Sequence, residues 1–262
     1  MNLQTKTKIT WCPGCTNFGI LAAFKGAIED LLKTNELKKE EIVIGSGVGC
    51  ASKIADYLNL NSFDGLHGRV LPLMSGVKIA NPKLRIITFA GDGESYAEGI
   101  EHLVHAAKRN IDITVLVHDN RNFALTTGQF TATSPKGFKG PSTPEGSQEE
   151  PFDPLKIMLA SGATFIAQGY SAKTDHLKNL IKQGILHKGF SFIDILQPCM
   201  TYSPKAYQLY NERIFEAEPQ NLTSEKEALK KINQWKFGEE IKIPIGIFYK
   251  IQKPVYKIRN YD

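Results

Sequence analysis

Two segments of the chain repeat one pattern, in which a short apolar run ends in a glycine-rich turn and helical periodicity follows. In the first, residues 41–44 lead into Gly45-Ser-Gly-Val-Gly-Cys50. In the second, residues 84–90 lead into Gly91-Asp-Gly93. Strands that alternate with helices build a parallel sheet covered by helices on both faces. The repeated pattern therefore predicts an α/β fold.

The alternation continues along most of the chain. Apolar residues recur every three to four positions after Thr16 or Asn17, so a helix is expected to begin there. The stretch 119–153 has no periodicity and contains four prolines, and a loop of that length is usually functional or disordered. We expect a doubly wound, mostly parallel sheet with helices on both faces over residues 1–204, and a C-terminal tail over 205–262 that packs on this domain or on a partner. The other expected elements are helices at 52–60, 96–109, 154–161, 173–187, 206–215 and 224–235, strands at 111–117, 164–168 and 190–196, and an extended segment at 241–256.

Composition excludes several classes of protein. Of the 262 residues, 42% are hydrophobic and 23% are charged, which excludes disordered, collagenous and coiled-coil chains. The longest apolar stretches fall far short of the roughly 18 residues that a membrane span needs. Because the N-terminus also lacks a signal-peptide core, we expect a cytoplasmic protein with no membrane partner. The net charge of +5 is dispersed along the chain, so nucleic acid is not expected as a partner.

The four cysteines all lie in loops or at the edges of expected elements. Cys12 and Cys15 form a CxxC motif before the first expected helix, Cys50 ends the first glycine turn, and Cys199 follows the last expected strand of the domain. Structural disulfides are rare in a reducing cytoplasm. Four unrelated packed thiols remain an alternative, but thiolate ligands for zinc or for an iron–sulfur cluster explain the placement better. The lack of a second CxxC argues against a zinc ribbon.

Both glycine turns are expected to face one crevice, because doubly wound sheets bind ligands at the carboxyl ends of their strands. The first turn has Cys50 where a dinucleotide-binding GxGxxG motif needs glycine, which disfavours a nicotinamide cofactor. In the second, Asp92 is expected in a surface turn, and Asn120 follows the next strand after residues 94–119. Such oxygens suit Mg²⁺ whose shell is completed by phosphates and water. The helix that follows would direct backbone N–H groups at a diphosphate.

Seven short motifs, taken in their order along the chain, point to one family. They are Trp11-Cys-Pro-Gly-Cys15, Gly45-Ser-Gly-Val-Gly-Cys50, Leu66-His-Gly-Arg69, Gly91-Asp-Gly93, Arg109-Asn-Ile-Asp-Ile113, Leu125-Thr-Thr-Gly-Gln129 and Gln197-Pro-Cys199. The set resembles the β subunit of 2-oxoacid:ferredoxin oxidoreductases, which bind thiamine diphosphate and a [4Fe-4S] cluster. The resemblance covers about the first 200 residues.

The resemblance implies ligands for each of these groups. The cluster ligands would be Cys12, Cys15, Cys50 and Cys199, and the Mg²⁺ ligands would be Asp92, the side chain of Asn120 and the backbone carbonyl of Asn122. From the sequence alone, a histidine in a glycine-rich turn more often bonds a backbone carbonyl, whereas the resemblance makes His67 a cofactor contact. The full set of implied cofactor contacts is Val48, Gly49, Cys50, Ala51, His67, Gly93, Glu94, Ala124 and Leu125.

The chain departs from the family pattern at several positions. Thr16 stands where glycine is usual, Glu94 where aspartate is common, Asp119 where an asparagine often precedes Asn120, and Phe123-Ala124 where Tyr-Gly is familiar. Asp92 and Asn120 are retained, so these departures bear on the choice of substrate more than on cofactor binding.

The implied activity is the coenzyme A-dependent oxidative decarboxylation of a 2-oxoacid to acyl-CoA and CO₂, with electrons passed through the cluster to ferredoxin. Thiamine diphosphate would serve as the electron sink and the cluster as a one-electron acceptor. The expected partner is the α subunit of the same enzyme, or a fused α/γ subunit. Two alternatives stay open: a non-oxidative thiamine diphosphate-dependent decarboxylase with structural zinc, and a non-catalytic iron–sulfur electron-transfer subunit. No side chain is assigned as the general base.

Overall fold

The computed structural model describes residues 2–218, 221–235 and 242–257. Its strands are β1 (Ile42–Ser46), β2 (Asn61–Asp64), β3 (Arg85–Gly91), β4 (Ile113–Asp119), β5 (Phe165–Tyr170), β6 (Ser191–Leu196), β7 (Ile214–Glu216) and β8 (Ile243–Lys250). They form one sheet in the order β2-β1-β3-β4-β6-β5-β8-β7. β8 runs antiparallel to β5, and the other neighbouring pairs are parallel. The predicted mostly parallel sheet is confirmed.

Helices cover both faces of this sheet, as predicted. The α-helices are α1 (Asn17–Lys33), α2 (Val70–Ala80), α3 (Ile100–Arg109), α4 (Pro154–Ala160), α5 (Thr174–Leu186), α6 (Pro204–Arg213) and α7 (Glu225–Ile232). α1 and α5 pack on one face, and α2, α3, α4 and α7 pack on the other. Among the described residues, no helix combines the length and the apolar character needed to cross a bilayer.

The strands divide their apolar side chains between two cores, because successive residues of a strand point to opposite faces of the sheet. In β3, Ile87 and Phe89 pack with α1 and α5. Ile86 and Ala90 pack with α2 and α3 on the other face. The middle of the sheet is therefore largely packed core, and the turns at the strand ends carry most of the polar groups that build a site.

Three elements, β2, α2 and β7, have no counterpart among the predicted elements. α6 ends at Arg213, so Ile214 and Phe215, which were expected in the helix at 206–215, lie in β7. β2 has the sequence Asn-Ser-Phe-Asp and is exposed along its whole length, so it lacks the alternation that marks a half-buried strand. α2 contains Ser75 and Gly76, which are weaker helix formers than alanine, and Pro72, which is tolerated because it lies in the first turn.

Two predicted helices differ from the structure. The expected helix at 52–60 is only a 3₁₀ helix, Ser52–Tyr57. It ends because the chain turns to pair with the N-terminal segment, where Asn59 N donates to Leu3 O at 2.8 Å. The expected helix at 96–109 is split into a π-helix, Gly93–Glu98, and α3. A Cβ at Gly99 would lie 2.8 Å from the carbonyl oxygens of Glu94 and Gly68, so only glycine fits at this break.

The strand boundaries and the C-terminal segment also differ from the sequence-based expectation. β4 begins and ends two residues later than the expected 111–117, so Asp119 lies in the strand and Asn120 follows it directly. β7 and β8 lengthen the sheet, so the described part of the tail packs on the domain. Contact with a partner stays a prediction. Three parts of the expected tail lie outside the described residues, namely 219–220, 236–241 and 258–262. The second part includes residue 241, the start of the expected extended segment.

The long segment between β4 and α4 contains no helix or strand, as expected. It is nevertheless attached to the sheet. Phe152 N donates to Ala132 O at 2.7 Å, and the buried hydroxyls of Thr131 and Thr133 reach carboxylates at the ends of β3 and β4. The segment therefore closes one side of the carboxyl edge of the sheet.

Candidate functional site

A cleft lies at the carboxyl edge of the sheet, between the turns that follow β1, β3 and β4. All twelve residues expected to contact the cofactor or Mg²⁺ line it. Gly91, Phe123 and Thr126 line it as well; they lie in or beside the motifs but were not expected as contacts. The predicted convergence of the two glycine turns on one crevice is therefore confirmed. The expected lining residues are Val48, Gly49, Cys50, Ala51, His67, Asp92, Gly93, Glu94, Asn120, Asn122, Ala124 and Leu125.

Asp92 is buried, which corrects the expectation of a surface turn. Its Oδ2 accepts hydrogen bonds from the hydroxyls of Thr131 and Thr133. Burial, together with the neighbouring carboxyl of Asp119, raises the pKa of Asp92 to about 7. The carboxyl group therefore lies in a site where its negative charge is poorly solvated and where a cation would be stabilised.

Thr133 connects Asp92 to Asp119. Its Oγ1 lies 3.0 Å from Asp92 Oδ2 and 2.7 Å from Asp119 Oδ1. A hydroxyl has one proton and can donate to only one of these oxygens, so both contacts are hydrogen bonds only if the other carboxyl carries a proton. Burial raises the pKa of Asp119 as well, and its Oδ2 is buried without a hydrogen-bond partner. The two carboxyl groups thus behave as a coupled pair.

Asn120 and Asn122 form a compact polar turn after β4. Asn120 Nδ2 donates to Gln197 Oε1 at 3.2 Å, and Asn122 Nδ2 donates to Asn120 O at 2.7 Å. Arg121 between them adopts a left-handed φ of 60°. Asn122 Oδ1 is buried without a hydrogen-bond partner. The turn therefore brings both asparagines into the lining of the cleft, together with Asp92.

Glu94 holds the turns of the cleft together. Its carboxylate accepts from Gly68 N at 3.3 Å and from Gly91 N at 3.4 Å. A Cβ at Gly47 would overlap this carboxylate, so the first glycine turn also packs directly against it. Burial raises the pKa of Glu94 to about 7, although backbone N–H donors oppose the shift. Glu94 lines the cleft, but its carboxylate is engaged in positioning the surrounding backbone.

His67 lies at the rim of the cleft and pairs with Glu98, which the sequence reasoning missed. His67 Nδ1 lies 2.7 Å from Glu98 Oε2, so its partner here is a carboxylate and not the backbone carbonyl considered from the sequence. Arg69 Nη1 donates to the carbonyl oxygens of Glu98 and Gly68, at 2.7 and 3.1 Å. The π-helix thus fixes the 67–69 turn, and no sequence periodicity marks such a helix.

A second pocket, the cysteine pocket, adjoins the cleft and is lined by all four cysteines. It shares Cys50, Asn120, Ala124 and Leu125 with the cleft. The cysteines are free thiols. Burial raises the pKa of Cys15 to about 11, and the other three thiols add to that shift. The sequence reasoning missed other lining residues, among them Asn17, Lys53 and Met200.

The cysteine segments are fixed to the ends of strands. Trp11 Nε1 donates to Cys50 O at 2.7 Å, which attaches the CxxC segment to the turn after β1. Gln197 Nε2 donates to Thr16 Oγ1 at 2.8 Å, and Thr16 Oγ1 donates to Pro198 O at 3.1 Å. In the described ranges, no group of three or more His, Cys, Asp or Glu side chains is arranged to hold a single metal ion. The four cysteines thus converge on one pocket without forming a site for one ion.

Comparisons with known proteins agree with this geometry. Residues 47–195 match the family described as thiamine pyrophosphate enzyme, C-terminal TPP binding domain; thiamine pyrophosphate is another name for thiamine diphosphate. The chain is 37% identical over 259 residues to 2-oxoacid:ferredoxin oxidoreductase 1, subunit beta, of Aeropyrum pernix, covering 94% of this chain and 79% of that one. It is 36% identical over 257 residues to the 2-oxoglutarate synthase subunit KorB of Methanocaldococcus jannaschii, covering 97% and 92%.

A solved structure shares the fold. The 2-oxoglutarate:ferredoxin oxidoreductase from Magnetococcus marinus, with 2-oxoglutarate, coenzyme A and succinyl-CoA bound, matches with a TM-score of 0.91 at 29% identity. The match covers 97% of this chain and 85% of that one. The matched thiamine pyrophosphate domain spans the cleft but contains only one of the four cysteines, Cys50.

We predict that Glu94→Gln destabilises the chain and weakens thiamine diphosphate binding. At pH 8, above the pKa of about 7, the native carboxylate accepts from several backbone N–H groups, whereas an amide offers one acceptor oxygen and turns its NH₂ toward another donor. A buried donor without a partner costs about 1–3 kcal/mol. Calorimetric melting of the full chain and titration with the cofactor measure both effects.

Glu98→Gln is the matched control, because its amide oxygen can still accept from His67 and it lies at the solvent-exposed rim. We expect this control to melt close to the unchanged protein. Equal melting temperatures for Glu94→Gln and Glu98→Gln would show that the Glu94 carboxylate does not hold the turns together.

Proposed function

Because the chain belongs to the family of 2-oxoacid:ferredoxin oxidoreductase β subunits, we propose that it carries the thiamine diphosphate site and an iron–sulfur cluster of such an enzyme. The reaction is the oxidative decarboxylation of a 2-oxoacid to acyl-CoA and CO₂, with electrons leaving to ferredoxin. One observation supports this function above all: a cofactor cleft and a four-cysteine pocket share a wall that contains Cys50.

The cleft suits the diphosphate end of the cofactor. When bound, thiamine diphosphate supplies an electron sink for the loss of CO₂. The π-helix begins at Gly93, and the first N–H groups of a helix have no acceptor inside the helix, so they can bind an anion. A Cβ at Gly93 would lie 2.2 Å from the ring of Phe123, so the close approach of these two turns requires glycine.

The base of the cleft suits Mg²⁺, which we propose is held by Asp92, the side chain of Asn120 and the backbone carbonyl of Asn122. These are the hard oxygen ligands that Mg²⁺ prefers. The buried Asp92–Asp119 pair supports this assignment, since a divalent cation would take the place of the proton that the pair otherwise shares. The carbonyl oxygen of Asn122 accepts one hydrogen bond, from Ala124 N at 2.9 Å, and has a second lone pair available.

The cysteine pocket suits a [4Fe-4S] cluster better than zinc. With Zn–S bonds of about 2.3 Å, tetrahedral zinc would need its sulfur atoms within about 3.8 Å of one another. The cysteines within the described ranges line one pocket but are not arranged to hold a single ion, so they leave room for a larger group. The resident cluster would take one electron at a time. Cys12, Cys15, Cys50 and Cys199 are the proposed ligands.

We predict that replacing any one of these cysteines with serine damages the cluster, because one thiolate of a four-ligand set is lost. Iron and sulfide assays, together with the absorbance near 400 nm that dithionite bleaches, measure the loss. Met200→Leu, which changes a residue of the same pocket without removing a thiol, should retain the cluster. If a serine variant keeps the full iron content, the cysteine that it replaces is not a cluster ligand. A colourless native protein containing zinc would favour the non-oxidative alternative.

We predict that Asp92→Asn weakens Mg²⁺-dependent thiamine diphosphate binding by at least about tenfold while leaving the fold intact. The amide keeps the shape of the carboxyl group, and the hydroxyls of Thr131 and Thr133 can rotate to accept from its NH₂. Titration calorimetry at fixed Mg²⁺ measures the affinity, and circular dichroism monitors the fold. Asp175→Asn is the control, since Asp175 is an exposed carboxylate in the first turn of α5 and does not line the cleft. If both variants bind thiamine diphosphate with equal affinity, the second glycine turn does not bind Mg²⁺.

The mouth of the cleft suits a partner subunit. Leu125 and Val48 line the cleft and are exposed by 46% and 45% of their surface, and Leu66, next to His67 in the sequence, is exposed by 78%. Exposed apolar residues grouped around a cleft mark an interaction surface. The Aeropyrum relative is named a subunit beta, which implies a subunit alpha in that enzyme. We therefore propose that an α subunit, or a fused α/γ subunit, covers this mouth and completes the active site, and that ferredoxin docks on the assembled complex.

We predict that the complex purified anaerobically from the native source reduces a viologen dye when given a 2-oxoacid and coenzyme A. The chain expressed alone, loaded with cluster and thiamine diphosphate, should be inactive because the other half of the active site is missing. A screen of pyruvate, 2-oxoglutarate and branched-chain 2-oxoacids identifies the substrate. An isolated chain as active as the native complex would contradict the subunit assignment. A fully loaded complex that oxidises no 2-oxoacid would contradict the function itself.

A further inference from the structure

Asn17, the first residue of α1, has a side-chain donor that no group satisfies among the residues that the structure describes. Asn17 is fully buried and lines the cysteine pocket. Its Nδ2 is buried without a hydrogen-bond partner. A buried amide group left without a partner costs about 1–3 kcal/mol, so a donor in this position implies an acceptor that belongs in the pocket.

His118 contacts the oxygen end of the Asn17 amide. His118 lies in β4, and its Nδ1 is 2.8 Å from Asn17 Oδ1. An amide oxygen only accepts hydrogen bonds, so Nδ1 is the donor in this pair. That bond occupies the oxygen end of the amide. The NH₂ end has no hydrogen-bond partner among the described residues.

Gln197, another amide that lines the cysteine pocket, differs from Asn17 in its hydrogen bonds. Gln197 Nε2 lies 4.0 Å from Cys15 Sγ, but it donates to Thr16 Oγ1 at 2.8 Å. Gln197 Oε1 accepts from Asn120. Both the oxygen and the NH₂ group of the Gln197 amide therefore form hydrogen bonds within the protein. In the Asn17 amide only the oxygen does so, and the NH₂ group can donate to a ligand.

We propose that Asn17 Nδ2 donates a hydrogen bond to a sulfur atom of the cluster in the cysteine pocket and thereby raises the reduction potential of that cluster. This inference rests on the proposed function, in which the four cysteines hold a [4Fe-4S] cluster. Hydrogen bonds to the sulfur atoms are one of the factors that set cluster potentials. Reduction adds one electron, so the cluster becomes more negative and a donor stabilises the reduced form more than the oxidised form.

Two variants test this role. Asn17→Leu replaces the amide with an apolar group of similar size, and Asn17→Asp keeps the shape but replaces the donor with an acceptor. We expect both variants to make the cluster harder to reduce. At a fixed potential, the ratio of reduced to oxidised cluster should fall at least tenfold. For a one-electron couple, this corresponds to a reduction potential lower by about 59 mV. Asn17→Asp should shift the potential at least as far as Asn17→Leu, and it retains the native shape if the leucine variant fails to fold.

The measurement is an anaerobic redox titration of the assembled complex, followed by electron paramagnetic resonance. Iron and thiamine diphosphate contents are measured on the same samples. Thr201→Val is the control, because it removes an exposed hydroxyl from the same pocket. It should leave the potential unchanged, and a shift equal to that of the Asn17 variants would overturn the proposal.

The outcomes separate this proposal from the function on which it rests. Full iron content in both Asn17 variants at an unchanged potential would overturn only the role of Asn17. A native complex that contains no iron would overturn the iron–sulfur function and this inference with it. Full iron content with a lowered potential in both variants is the result that supports the hydrogen bond.

Discussion

The site depends on the common direction of three neighbouring strands. β1, β3 and β4 are parallel, and their registers pair Ser46 with Phe89 and Gly91 with His118. The three strands therefore end at the same edge of the sheet, and the turns that follow them open on one crevice. The two strands that run in the opposite direction, β8 and β7, lie away from these three, beyond β5. A reversed strand among β1, β3 and β4 would have sent one of the turns to the opposite edge.

Burial of acidic groups at this edge opposes stability. Burial raises the pKa values of Asp92, Asp119, Asp194 and Glu94, and Tyr96 donates to Asp194 from within the same core. Carboxylates that share a poorly solvated space are costly unless protons, donors or cations compensate them. Titratable groups shifted in this way cluster at functional sites. A cation bound at this edge would offset part of that cost.

Much of the site could be predicted because its residues lie in turns with strong sequence signals. Asp92 follows an apolar strand inside a GDG turn, and the cysteines stand out by residue type alone. Thr131 and Thr133 could not be found in this way, since they lie in an aperiodic segment. That segment reaches them through left-handed backbone at Arg121 and Thr127, a conformation that residues other than glycine rarely adopt. Glu98 and Asn17 were missed because their roles depend on spatial contacts, with His67 and His118, that no local pattern records.

The turn after β1 connects the cleft to the cysteine pocket, so that the two sites form one structural unit. Cys50 lines both, while Trp11 bonds its carbonyl and packs edge-on against Tyr57 and Phe18. On the other side, the Glu94 carboxylate packs against Gly47 of the same turn. A displacement of the CxxC segment would therefore move the cofactor cleft as well. In the proposed function, such a unit would hold the thiamine diphosphate site and the iron–sulfur cluster at a fixed distance from each other.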